Sequence, residues 1–140
     1  MVNNTKILNI IYPEKFHTDF IYAYIKFQNE LKDLIEKSGY KSDFTRKYRI
    51  SLTMLDDLKL NCIIQKKRFE KLKKTEGLYS IILHGEKNIR ILFTFIHNRG
   101  KTIAVLLNVF EEKDKKNNSK TSYNNAIIIA NDRVEKLKEL

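Results

Sequence analysis

Between residues 77 and 110 the chain reads GLYSIILHGEKNIRILFTFIHNRGKTIAVLLNVF, three runs of β-branched and aromatic residues separated by GEKN and HNRGK. Short polar connections carrying glycine reverse a chain between antiparallel strands. The spacing therefore predicts a meander over 78–84, 89–96 and 102–110. Alternate residues of a strand face opposite sides of its sheet. Tyr79, Ile81, Leu83, Ile89, Ile91, Phe93, Phe95, Ile103, Val105, Leu107 and Val109 then make one apolar face, which helices must cover. The second face is mixed and open, with Ser80, His84, Arg90, Thr94 and Asn108 on it.

The flanking segments supply the cover. Residues 6–12, KILNIIY, read as a first strand stopped by Pro13, the only proline. Thr18 or Asp19 can then cap a helix over 18–37, in which Phe20, Tyr24, Phe27, Leu31 and Leu34 recur at three- and four-residue steps and which Gly39 can end. A second helix over 43–58 shows Ile50, Met54, Leu55 and Leu58 on one face. A last helix from residue 121 carries Ile127, Ala130, Val134 and Leu137. The expectation is one α+β domain over residues 1–140, an antiparallel sheet of about four strands with two N-terminal helices and a C-terminal helix packed on it.

Charge narrows the class of partner. Lys and Arg number 27 against 17 Asp and Glu, a formal net charge of +10, and on a chain of 140 residues that excess attracts polyanions. Nucleic acid, an acidic protein and a membrane surface all answer to it. No apolar run approaches the length that spans a bilayer, and the first residues lack the apolar stretch of a signal peptide, so the expected location is the cytoplasm, with no membrane partner. A single cysteine, Cys62, excludes an internal disulfide framework and reads as a small buried side chain.

Few residues have the spacing of a chemical site. His17, His84 and His97 lie far apart and there is no glycine-rich phosphate loop, so neither a metal nor a cofactor is expected. Asp56, Asp57, Glu111 and Glu112 fall on a helix surface or a loop and read as solvated charge. Arg90 is different, because a guanidinium within a strand is costly unless it meets water, an anion or a carboxylate. It is either a phosphate ligand on the open face or half of an ion pair with Glu86 or Glu112. His84, across the hairpin, can carry a proton near neutrality. The run QKKRFEKLKK, residues 65–74, is either a solvated segment or a backbone-binding stripe beside the sheet.

The stretch from FEKLKKTEGLYSIILHGEKNIRILFTF through KTIAVLLNVFEEKDKK to AIIIANDRVEKL resembles the RelE/HigB family of toxins from type II toxin–antitoxin systems, in particular its phage-derived-protein branch. Leu78 and Tyr79 match that branch's second strand, Arg90 and Ile91 the third, Leu107 and Phe110 the fourth, and Ala130 and Arg133 the final helix. The first half matches in the order of its elements. The chain departs from the pattern at Ser80 and Ile82, where glutamate and arginine are usual, at Asn108 in place of a histidine, and at Glu111 and Glu112 in place of a lysine pair.

The resemblance implies a RelE-like fold and a metal-independent endoribonuclease, an mRNA interferase that cuts ribosome-bound mRNA in the A site and so inhibits translation. A cognate helix-turn-helix antitoxin would neutralise it in a heterotetramer. On that reading Arg90 holds the scissile phosphate, His84 and Lys113 complete the catalytic set, and Lys71, Lys73, Lys74, Lys87, Lys115 and Lys116 bind RNA. Replacing Arg90 should then cost activity and leave the fold intact. The alternatives are a ParE-like toxin that inhibits gyrase without cutting RNA, and a basic RNA-binding protein without toxicity.

Overall fold

The computed structural model describes residues 4–85, 87–112 and 118–138. In chain order its elements are β1 (Ile7–Leu8), β2 (Ile21–Tyr24), α1 (Phe27–Glu36), α2 (Lys41–Leu58), a 3-10 segment (Lys59–Ile64), β3 (Phe69–Lys71), β4 (Leu78–Leu83), β5 (Asn88–Asn98), β6 (Lys101–Glu112) and α3 (Asn118–Lys138), after a 3-10 turn at Asn4–Lys6. The architecture is α+β, but the sheet has six strands and is mixed. Its order is β1-β2-β6-β5-β4-β3, and β2 runs parallel to β6 while the remaining neighbours are antiparallel. A parallel neighbour requires a long crossover. Here α1, α2 and the meander intervene, and β6 returns to lie between the first and second halves of the chain.

The extra strands come from two segments that helical spacing and charge had obscured. The helix expected over 18–37 begins instead as β2, and α1 starts only at Phe27. Phe20, Tyr24 and Phe27 satisfy a helical step by coincidence. The run FIYAY is rich in aromatic and β-branched residues and is captured by β6, with Ile21 opposite Ala104 and Ala23 opposite Leu106. Thr18 caps the way into this strand, its Oγ1 accepting from the N–H of Phe20 and Ile21 and donating to Asp56 Oδ1 at 2.7 Å. The basic run contributes β3, whose three residues pair with Ile81, Ser80 and Tyr79. Residues 111 and 112, expected in a loop, end β6, and α3 opens at Asn118, before the expected 121. Gly39, at φ +82°, closes the turn after α1 as its position suggested.

The faces of the sheet also differ from simple alternation. Between β5 and β6 the register shifts at Leu92/Phe93: Leu92 faces Asn108, but Phe93 faces Leu106, so Leu107 is an extra residue in β6. Ile103 and Val105 consequently share a side with Arg90, whereas Ala104, Leu106 and Val109 share one with Phe93. Neither side is open at the centre, where Ala104, Val105, Leu106 and Leu107 are all fully buried. On the Phe93 side the rings of Phe69, Tyr79, Phe93 and Phe95 interlock, and Phe20 packs on Phe95. Lys59 Nζ sits 4.1 Å above the Phe20 ring, bringing the end of α2 over that side. α3 covers the Arg90 side, with Asn108 Nδ2 donating to the carbonyl of Ala126.

Tyr48 of α2 is buried in the core and stacks on Phe44, and its hydroxyl finds no hydrogen-bond partner among the described residues. Burial pushes its phenol well above the ordinary 10.0. The folded protein keeps this proton while the unfolded chain releases it above pH 10, so the phenol's contribution is present below that pH and is lost as pH rises. Tyr48→Phe removes a buried, unpaired polar group. We expect a variant at least as stable as the parent at pH 7, with a smaller loss of stability between pH 9 and 11, read by urea denaturation.

Candidate nucleic-acid interface

Several cationic side chains meet where β4 outruns its edge neighbour. β3 begins at Phe69, opposite Ile81, so the last residues of β4 face the chain that leads from the 3-10 segment. That chain is held close, the N–H of Ile82 donating to the carbonyl of Arg68 at 2.7 Å. α2 passes on the other side. The result is a cleft of about 570 Å³ lined by Arg46, Lys47 and Ile50 from α2, residues 64–68, and Ile82, Leu83 and His84. Arg46, Lys47, Lys66, Lys67 and Arg68 give it five cationic side chains, and among the described residues no acidic side chain lines it.

Local contacts fix part of this lining. Lys47 Nζ donates to the carbonyl of His84, pinning α2 to the end of β4. Asp43 accepts from Arg46 at 2.9 Å and from Lys47 at 3.0 Å, and these bonds hold its carboxyl below the ordinary carboxylate value. His84 is exposed at the hairpin, with Nδ1 3.3 Å from Asn88 Oδ1. Of the expected site residues that are described, the cleft collects only His84.

Arg90 lies elsewhere and is turned inward. It is 7% exposed, beneath α3, with Nη2 3.2 Å from Glu112 Oε1, Nε donating to the Tyr123 hydroxyl at 3.0 Å, and Nη1 on the carbonyl of Ile89. This side is not the open face that alternation suggested, since the bulge and α3 bury it; of the two readings of Arg90 the ion pair with Glu112 holds, and Glu112 is not simply solvated charge. Phe110 closes the arrangement edge-on to Tyr123. Burial raises the Tyr123 phenol, which Arg90 opposes.

The expected lysines do not form one surface. Lys71 is exposed on β3, with its Nζ 5.9 Å over the ring of Tyr79. Lys73 is exposed in the turn that follows, and Lys87 is half-buried in the β4–β5 hairpin. Lys74 lines a separate groove of about 240 Å³ with Lys138, but Glu76 and Glu135 line it too, so that groove has no excess charge. Lys113, Lys115 and Lys116, like Glu86, lie outside the described residues. Arg46 and Lys47 went unnamed in the sequence reading; their signal was their place beside Ile50 on α2, legible only once α2 is known to pass β4.

Other chemistry finds little support. Cys62 is buried, and desolvation pushes its thiol up to about 11, far from a nucleophile's range. Among the described residues no three His, Cys, Asp or Glu side chains are grouped so as to hold a metal ion, and no helix is long and apolar enough to cross a membrane. Compared with protein-family models, curated proteins and solved structures, the chain has no significant match.

Because Arg90 is buried and paired, its loss strands Glu112 and the Tyr123 hydroxyl. We expect Arg90→Ala to lower unfolding free energy by about 3 kcal/mol, as for other broken buried pairs. Lys71→Ala on the exposed edge should change it by less than about 0.5 kcal/mol. Chemical denaturation measures both.

Proposed function

We propose that this protein is a toxin of a type II toxin–antitoxin system, a metal-independent endoribonuclease of ribosome-bound mRNA neutralised by a cognate helix-turn-helix antitoxin, and that it engages RNA through the cleft between α2 and β4. The observation that carries the RNA contact is the cleft itself: five cations line it, two of them held by Asp43, with no carboxylate in the lining among the described residues and a histidine beside them. A phosphate backbone is the ligand that such a surface suits, since each cation that meets a phosphate releases condensed counterions. The observed order, two short strands, two helices, four antiparallel strands and a terminal helix, agrees in outline with the order that the family resemblance implies, and it is this outline that the toxin reading draws on.

Cleavage follows from the same groups. In RNA the ribose 2′-hydroxyl attacks its own phosphate, so the protein must move one proton from the nucleophile, supply one to the leaving oxygen, and neutralise the charge between them. His84 is the proton carrier of the cleft, and Arg46 and Arg68 have the planar fork that grips two phosphate oxygens. Arg90, engaged by Glu112 and Tyr123, supports the sheet beneath instead of meeting the substrate.

That engagement also favours a second reading. With Arg90 committed inward and a single histidine in the cleft, binding is better provided for than proton transfer, which suits an RNA-binding protein that blocks translation without cutting, or a ParE-like toxin with another target. Mapping RNA ends in cells that express the protein separates the readings. Breaks within translated codons are expected, and they should disappear with His84→Ala. DNA damage with intact mRNA, or neither lesion, would reject the nuclease.

Binding has its own measure. Replacing Lys66, Lys67 and Arg68 together by Gln should flatten the log–log salt dependence of RNA affinity by about 2 units, since each contact to a single strand contributes about 0.7. Replacing Lys71, Lys73 and Lys74 should flatten it less. An unchanged slope in the first variant would show that the cleft is not the RNA contact.

A further inference from the structure

We infer that the cleft holds an unpaired nucleobase together with the phosphates beside it, so that binding depends on the base and not on charge alone. The inference rests on the cleft's being an RNA interface, and adds to it from the apolar half of the lining. Ile50, Ile64 and Ile82 sit among the five cations. Ile64 is 68% exposed, and Leu60 and Ile63 before it in the 3-10 segment are exposed as well. A solvated face of mere charge has no use for these side chains, and Ile64, exposed in the lining of the cavity, marks a contact surface.

Their neighbours decide the kind of ligand. A duplex presents its charged backbone outward and keeps its base faces stacked, so an isoleucine floor would gain nothing from it. A single strand offers apolar base faces alternating with phosphates, which complements isoleucines flanked by lysine and arginine. Among the described residues no aromatic ring lines the cleft, so the base is held by aliphatic contact and not by ring stacking. An anionic lipid surface also suits lysine beside isoleucine. However, Ile50 and Ile82 are half-buried within a concavity of about 570 Å³, where a bilayer cannot follow.

The test compares a short RNA oligonucleotide with one of the same length and charge whose central nucleotides are abasic, using the full chain and fluorescence anisotropy over a salt series. We expect the abasic strand to bind roughly tenfold more weakly at an unchanged salt slope, because phosphate contacts persist while a base contact is lost. Ile64→Ser, at an exposed position, should weaken the intact strand by a similar factor and leave the abasic strand unaffected. Equal affinity for both strands overturns the base pocket while leaving the electrostatic interface standing. Failure of both strands to bind overturns the interface and the pocket together. Competition by phosphatidylserine vesicles but not by free single strand would assign the isoleucines to a membrane and likewise overturn the inference.

Discussion

Arg133 joins parts of the chain that are remote in sequence, and the two sides of the sheet depend on where it points. From α3 its Nη1 donates to the carbonyl of Leu107 at 2.6 Å and to Glu30 Oε1 at 2.7 Å, its Nη2 meets the second oxygen of Glu30, and its guanidinium lies 5.0 Å from the centre of the Tyr24 ring. α1, α3, β2 and β6 therefore meet at one side chain. A bidentate pair of this kind fixes orientation as well as contributing energy, because the planar fork accepts a carboxylate in one geometry. Leu107 is the extra residue of β6, where the ladder to β5 slips. A bulge leaves a backbone group in need of a partner. Arg133 provides it, so the slip that reassigns the faces is stabilised by the helix that covers one of them.

The position of Arg90 follows from this. With α3 anchored through Arg133 and through Asn108 to the carbonyl of Ala126, the upstream turns of the helix lie over Phe110 and Arg90, and Tyr123 closes on the guanidinium. A charge so placed must be paired, since removing it from water costs several kcal/mol. Glu112 satisfies that requirement because β6 continues beyond Phe110 to carry the carboxylate back over the strand. One polar arrangement thus accounts for both an arginine within a strand and the glutamate at the end of the next one, the ion pair that stood beside phosphate binding as a reading of Arg90.

What the sequence reveals depends on the range of the forces involved. The meander was legible because turns and alternation are local, and β4, β5 and β6 fall within two residues of the expected bounds. Gly39 and the buried Cys62 were legible for the same reason. β2 was not, because its pairing with β6 joins residues some eighty positions apart and the same aromatics satisfy a helical step. The sides of β6 were misread at a single extra residue, since a one-residue slip inverts everything beyond it. The basic run was visible as charge, but its division was hidden: Lys66, Lys67 and Arg68 turn into the cleft while Lys71 and Lys74 face other surroundings. Only the brevity of β3 separates them.

That brevity also explains why the candidate interface lies at a corner of the sheet and not on a face. Both faces are covered at their centre, and the end of β4, without a strand neighbour, leaves space beside ordered backbone. The hairpin seats there closely: a β-carbon added to Gly85 would stand 3.3 Å from Lys47 Nζ and 3.5 Å from Asp43 Oδ2. Asp43 holds Arg46 and Lys47 by single contacts, yet one carboxylate cannot balance two cations, and neither Lys66, Lys67 nor Arg68 is drawn into any ion pair among the described residues. The carboxylate orders the helical side of the cleft, and the opposite side carries charge that no carboxylate among the described residues offsets. On the proposed reading this is the charge that would meet an RNA phosphate, and Lys47, bonded to the carbonyl of His84, ties α2 to the end of β4 where the histidine stands.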